Sequence, residues 1–190
     1  FIPDRRCIYM RIRFRRMDRR LPEFRRVRKL YYRAFPFVER APFWFLMMKR
    51  SIPGVDFLSM YADDEWAGFC YVVNHNDISY VLFLAISEEM RGRGCGSYML
   101  KALKKKYEGH RILLAIEEID EAAPNYAERV NRKHFYEKNG LKQLPCKIRE
   151  VNQIYDVMSY GGMINPSEFN SMMHRFLGRT LVKITDMRRV

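Results

Sequence analysis

The segment Ile78 to Tyr107 constrains this chain more than any other. ISYVLFLAI (Ile78–Ile86) is nine residues in which Ser79 is the lone strongly polar side chain. Such a run reads as a strand covered on both faces. A loop follows, Arg91-Gly92-Arg93-Gly94-Cys95-Gly96, and opens a helix over Ser97–Tyr107 with Met99, Leu100 and Leu103 facing inward. Glycines let a backbone approach a ligand closely. The first N–H groups of the helix and its dipole make that loop attractive to an anion. Arg91 and Arg93 add full charges. The physics is that of a pyrophosphate cradle. A Walker loop needs GxxxxGK[ST], which is missing here. A dinucleotide fingerprint needs GxGxxG, and the third glycine, Gly96, falls one position early. What the loop does spell is R-x-x-G-x-G, at Arg91, Gly94 and Gly96.

The elements around it are readable by periodicity. MRIRFRRM from Met10 alternates apolar and basic residues, a half-buried strand. Leu21–Phe35 carries Phe24, Val27, Leu30, Tyr31 and Ala34 at helical spacing, and Pro36 ends it. A second helix is predicted over Ala41–Arg50, and Pro53-Gly54 breaks the chain. Phe57–Tyr61 and Trp66–Val73 form a hairpin around Ala62–Glu65. Arg111–Ile116 is another buried strand. Asn125–Asn139 is a helix with Gly140 at C′. Short strands follow near Leu141–Pro145 and Gln153–Tyr160. Asn165, Pro166 and Glu168 mark the N-cap, N1 and capping-box positions of a last helix that runs to Leu177 and stops at Gly178. The order β-α-α-β-β-β-α-β-α-β-β-α implies an α/β (α+β mixed) domain with a mixed central sheet. Residues 1–9 show no pattern and read as an N-terminal extension before Met10, 10–162 as the domain, and 163–190 as an added helix and tail.

Charge is placed unevenly. Of the net +13, residues 1–50 hold 16 Lys/Arg and 4 Asp/Glu, a balance of +12. A nucleic-acid or ribosome contact is one reading. With no aromatic-basic recognition motif beside it, the charge reads better as a solvated helix face near an anionic cofactor. The basic surface weakly favours an acidic or phosphate-bearing acceptor. No apolar run approaches the roughly 20 residues of a membrane span. FIPDRRCIYM has no signal-peptide apolar region. Four cysteines (Cys7, Cys70, Cys95, Cys146) lie far apart, so a disulfide framework or zinc site is not expected and a reducing cytoplasm is. His75, His110, His134 and His174 are scattered singly, and no metal is expected.

In full, AIS-EEM-RGRGCG-SYML resembles the acyl-coenzyme A loop of the GNAT-type N-acetyltransferases, and HFYEKNGL (His134–Leu141) is similar to that family's second signature. Tyr136 stands at the tyrosine place, Gly140 at the glycine place, and Leu141 replaces the usual aromatic. Arg129 and Arg132 stand where the family often has asparagine and alanine, and the link from Ile116 to Tyr136 is about two helical turns longer than usual. The resemblance implies a single GNAT-like domain that transfers acetyl from acetyl-coenzyme A to a primary amine. Arg91, Gly92, Arg93, Gly94, Cys95, Gly96 and Ser97 would hold the cofactor, and the backbone of Leu84, Ala85 and Ile86 would pair with its pantetheine arm. Cys95 has no histidine at a helpful local spacing and serves as a small loop residue, not a nucleophile. Tyr136 would be the general acid. Glu117 and Glu118 are candidates for the base, and strand alternation lets at most one of them serve. Phe43, Trp44, Phe45, Met47 and Met48 read first as core, and second as a wall of the acceptor pocket. Polyamines, antibiotics, amino acids and protein N-termini all fit as acceptors. Two further readings stand beside this one: an RNA- or ribosome-associated basic module on the same scaffold, and a non-catalytic acyl-coenzyme A sensor. The strand Gln153–Tyr160 is expected to be open for pairing across a homodimer.

Overall fold

Along the third strand, Phe69, Tyr71 and Val73 belong to one apolar cluster, while Cys70 and Val72 belong to another on the opposite face. Period-two alternation sends successive side chains to opposite sides of a sheet. Here both sides are covered, so the strand is apolar from Ala67 to Val73. The computed structural model describes residues 10–150, 153–178 and, for the backbone, 185–189; the expectations for the first nine residues lie outside these. Its strands are β1 (Ile12–Arg16), β2 (Val55–Ala62), β3 (Glu65–His75), β4 (Ile78–Ile86), β5 (Arg111–Glu117), β6 (Lys142–Glu150), β7 (Gln153–Tyr160) and β8 (Thr185–Arg189). Its helices are α1 (Phe24–Ala34), α2 (Phe43–Lys49), α3 (Cys95–Lys106), α4 (Tyr126–Lys138) and α5 (Pro166–Leu177). The eight strands form one mixed sheet in the order β1-β2-β3-β4-β5-β7-β6-β8. The β4–β5 pair is parallel.

One layer carries α1, α2 and α5, whose Val27, Leu30, Tyr31, Leu46, Phe169, Met172 and Phe176 are buried in the first cluster. The other carries α3, with Met99, Leu100 and Leu103 buried in the second cluster and Phe135 and Tyr136 of α4 packed against it. The added C-terminal helix thus belongs to the main core. Its Asn165–Glu168 capping box forms as expected. Glu168 also receives Arg111 at 2.7 Å, and the same guanidinium holds Asp77 at 2.8 Å.

β2 and β3 turn through Asp63 and Asp64 at φ 47° and 72°, a two-residue turn tighter than the loop read from sequence. β6 continues to Glu150, five residues beyond its expected end, and β8 adds an edge strand that the sequence reading did not include. β7 lies between β5 and β6, hydrogen-bonded on both sides. The expectation that Gln153–Tyr160 could pair across a dimer is therefore corrected, because this strand has no free edge. No described helix is long and apolar enough to cross a membrane.

The feature that shapes the site is in β4. Its pairing with β3 runs Tyr71↔Phe83 and then Val72↔Val81, leaving Leu82 as an extra, bulged residue. Residues facing the first cluster switch from Ile78 and Tyr80 to Phe83 and Ala85, from even to odd. A bulge bends its strand. β4 pairs with β5 only over Ile78↔Arg111, Ser79↔Ile112 and Tyr80↔Leu113. Beyond that point the two strands part.

On the other edge of β4, β3 comes very close. A Cβ on Gly68, which has φ +150°, would lie 2.0 Å from the carbonyl oxygen of Ala85. Gly68→Ala is expected to destabilise the protein by about 3 kcal/mol, since backbone rather than a flexible side chain must yield. Urea unfolding measures this, and an unchanged midpoint would refute the close approach.

Candidate active site

The parting of β4 and β5 leaves a cleft of about 680 Å³. One wall is β4 from Tyr80 to Ile86, and the other is β5 from Leu114 to Glu117. From Val81 onward the β5-facing edge of β4 has no strand partner. Backbone groups left unpaired in this way must be satisfied by something else.

The glycine loop closes one end. Gly92 and Gly94 have φ of 73° and 75°, the left-handed region that favours glycine. Gly94 is the N-cap of α3 and accepts from the Ser97 N–H at 3.1 Å. A Cβ on Gly92 would meet nothing within 4 Å, and one on Gly94 only the Tyr98 ring at 4.0 Å. The space in front of the loop is open, as an anion cradle requires. Gly96 works differently. A Cβ there would sit 3.0 Å from the Phe135 ring, so its role is to let α3 and α4 pack closely.

Of the residues singled out from sequence, Leu84, Ala85, Ile86, Arg91, Gly92, Gly94, Cys95, Gly96, Ser97, Glu117 and Tyr136 all line this cleft. Two do not. Arg93 turns back to Glu65, 3.5 Å away, and to the Met90 sulfur. Glu118 pairs with Lys147, away from the cleft. Cys95 is buried, and burial pushes its thiol up, which suits a packing residue and not a nucleophile. Burial likewise raises the Tyr136 phenol, so this hydroxyl keeps its proton through the neutral range.

The rest of the cleft holds groups that spacing could not reveal. Glu39, Tyr80, Glu150 and Tyr155 line the cleft together with Glu117. Glu117 is tied by Arg129 at 3.1 Å and Arg132 at 2.9 Å, with Asn125 also donating to it. Arg129 further donates to the Glu118 carbonyl at 2.8 Å. The two arginines that depart from the family pattern thus form a lock between α4 and the end of β5. Among the described residues, no salt bridge restrains Glu39 or Glu150. Burial raises the Glu39 carboxyl, and the charge of Glu117 raises it further. Burial raises Glu150 as well, with Tyr80 donating to it at 3.1 Å. The floor of the cleft is acidic although the exterior is basic. Glu39 sits on a 3-10 turn (Phe37–Glu39) and Glu150 at the end of β6, about 110 residues apart, so only the fold brings them together.

Residues 53–143 match the family model described as acetyltransferase (GNAT) domain. This segment, 91 of the 190 residues, is similar to a GNAT acetyltransferase domain. No curated protein matches it by sequence. Among solved structures, a GNAT-family protein from Bacteroides thetaiotaomicron superposes with a TM-score of 0.73 at 17% identity, covering 90% of this chain and 98% of that one. An aminoglycoside 6'-N-acetyltransferase complexed with coenzyme A gives 0.58 at 16%, covering 81% and 99%. The ribosomal-protein-S18-alanine N-acetyltransferase from Escherichia coli gives 0.56 at 16%, covering 82% and 97%. At these identities the likeness is one of fold, and the site here must be read from its own residues.

Glu150 yields a test of the electrostatics. A carboxyl whose folded pKa is raised binds its proton more tightly in the folded state than in the unfolded one. Stability therefore falls as pH climbs from the unfolded value of 4.5 through the raised one, and the penalty persists above it. Glu150→Gln, which keeps an acceptor for Tyr80, is expected to raise Tm by a few degrees at pH 7.5 and to leave it unchanged at pH 4. An equal effect at both pH values would rule out the buried charge as the cause.

Proposed function

We propose that this chain transfers the acetyl group of acetyl-coenzyme A directly to a primary amine. The observation that carries the reading is the parted β4–β5 pair with the open, left-handed glycine loop at its mouth. Backbone N–H groups at the start of α3, with Arg91, can receive the pyrophosphate. The unpaired edge of Leu84–Ile86 can pair with the pantetheine arm, and its N–H groups can stabilise negative charge on the acyl oxygen. Bound there, acetyl-coenzyme A would supply an activated thioester. The chain's own residues handle the protons. Tyr136 Oη donates to the departing sulfur. An incoming ammonium must lose a proton before it attacks. Glu117 faces the cleft, but its oxygens are already engaged by two guanidinium groups. Glu39, beside it and with its carboxyl raised by burial, is the freer acceptor because no salt bridge among the described residues engages it.

Calorimetric titration with acetyl-coenzyme A, against adenine and nicotinamide nucleotides, tests the cofactor half. Selective binding is expected, and Gly94→Glu should abolish it in a protein that still folds. Unchanged affinity in that variant would remove the loop from the site. Tight binding with no transfer to any amine would instead fit the sensor reading.

The proton roles separate kinetically. Tyr136→Phe is expected to lower kcat by about a hundredfold with cofactor affinity unchanged. Glu39→Gln should lower kcat more than Glu117→Gln and flatten the alkaline rise of the pH–rate profile. Equal turnover in Tyr136→Phe would exclude that phenol as the acid.

A further inference from the structure

A second cavity, of about 300 Å³, opens off the acceptor end of the cleft. The two share Glu39, Leu82, Phe83 and Glu150. Beyond these four the walls are almost wholly apolar. Ala41 and Phe45 come from the start of α2 and the turn before it, and Met173 and Phe176 from α5. The bulged Leu82 stands at the junction, facing both spaces. An apolar recess of this kind favours hydrocarbon over water.

Its charged rim is of one effective sign. Glu39 and Glu150 stand where the cavities meet, each hydrogen-bonded to a tyrosine hydroxyl, and the two arginines whose charge reaches Glu39, Arg129 and Arg132, are paired with Glu117. Arg40 also reaches this lining, but its guanidinium is committed elsewhere. It donates to the carbonyls of Tyr32 and Phe35 at 2.8 and 3.2 Å and lies over the Tyr32 ring. A cation at the junction would thus meet two carboxylates and have an apolar chamber behind it.

We propose that the acceptor is a primary amine with an apolar body, its nitrogen held at the Glu39–Glu150 junction and its alkyl or aryl tail in the second cavity. This rests on the transferase reading above and specifies its acceptor. The occupant follows from charge complementarity at the rim and from continuity with the cleft. A polyhydroxylated or multiply charged tail would leave polar groups unpaired against Phe45, Met173 and Phe176. Each methylene buried there strengthens binding roughly three- to fourfold.

The test is direct binding, which does not depend on turnover. The full chain, with coenzyme A present, is titrated calorimetrically with hexylamine, methylamine and hexanol. Hexylamine is expected to bind at least tenfold more tightly than either control. Ala41→Phe, which fills the chamber, should erase the advantage of hexylamine over methylamine, and Glu150→Gln should reduce its advantage over hexanol. Methylamine binding as well as hexylamine, hexanol binding as well as hexylamine, or no heat with any amine would overturn the proposal. Thiol release on adding acetyl-coenzyme A reads the reaction separately. Hexylamine that binds tightly without releasing thiol would support the chamber and count against transfer. Turnover of all amines alike, whatever their chain length, would support transfer and overturn the chamber.

Discussion

The one-residue bulge at Leu82 is the constraint on which the rest of the structure depends. Up to Tyr80, β4 and β5 are an ordinary parallel pair. A regular strand would go on pairing, and the backbone edge from Val81 to Ile86 would be sealed. The extra residue breaks that continuation, and three consequences follow together. The parity of β4 inverts, so Phe83 and Ala85 take over the face that Ile78 and Tyr80 served. A cleft opens whose wall is unpaired backbone. Leu82 itself is carried to the point where the two cavities meet. Close approach of β3 at Gly68 backs this strand from the other side. The cleft wall is therefore held between a glycine that admits no side chain and a space that admits a ligand.

Electrostatics inside the cleft run against the exterior. The N-terminal quarter gives the chain its basic surface, with Arg25, Arg26, Arg28 and Lys29 on the exposed side of α1. An anionic cofactor approaching the loop is favoured by that field at long range. At short range the sign reverses, because Glu39, Glu117 and Glu150 line the same cleft. Arg129 and Arg132 neutralise one of the three and leave the other two without a salt bridge. That division separates a carboxylate that fastens α4 to β5 from carboxylates available to a proton or an ammonium.

What could be read from sequence was what is local. β4, β7 and α5 begin and end where periodicity and caps place them, because a nine-residue apolar run, a polar stop and a capping box are all written in consecutive residues. The loop was legible for the same reason: its chemistry is backbone chemistry, and glycine spacing encodes it. The bulge was not legible. In a strand buried on both faces every residue is apolar, so an inserted residue leaves no break in the alternation. The acidic floor was hidden by distance in the chain, since Glu39 and Glu150 meet only through tertiary packing. Arg93 and Glu118 have the right residue types at the right spacing, yet each finds a nearer partner, Glu65 and Lys147. β8 carries too few apolar residues for a strand pattern, and its order comes from pairing with β6.

The C-terminal helix shows how one residue ties these parts together. Arg111 opens β5, and its backbone is in register with Ile78 at the closed end of the cleft. Its side chain holds Asp77, just ahead of β4, and Glu168 in the first turn of α5. Glu168 at the same time completes the capping box by accepting from the Asn165 N–H at 2.9 Å. The ionic contact fixes where α5 starts, and its direction is set by Phe169, Met172 and Phe176 sinking into the sheet. Eight residues past Glu168, Phe176 becomes a wall of the second cavity. The same strand start that pairs with β4 at the closed end of the cleft therefore also positions the helix that closes the space beyond them. A chain ending at Gly162 would retain the glycine loop and the β4 edge but lose one side of the second cavity, so the helix bears on that cavity rather than on the loop.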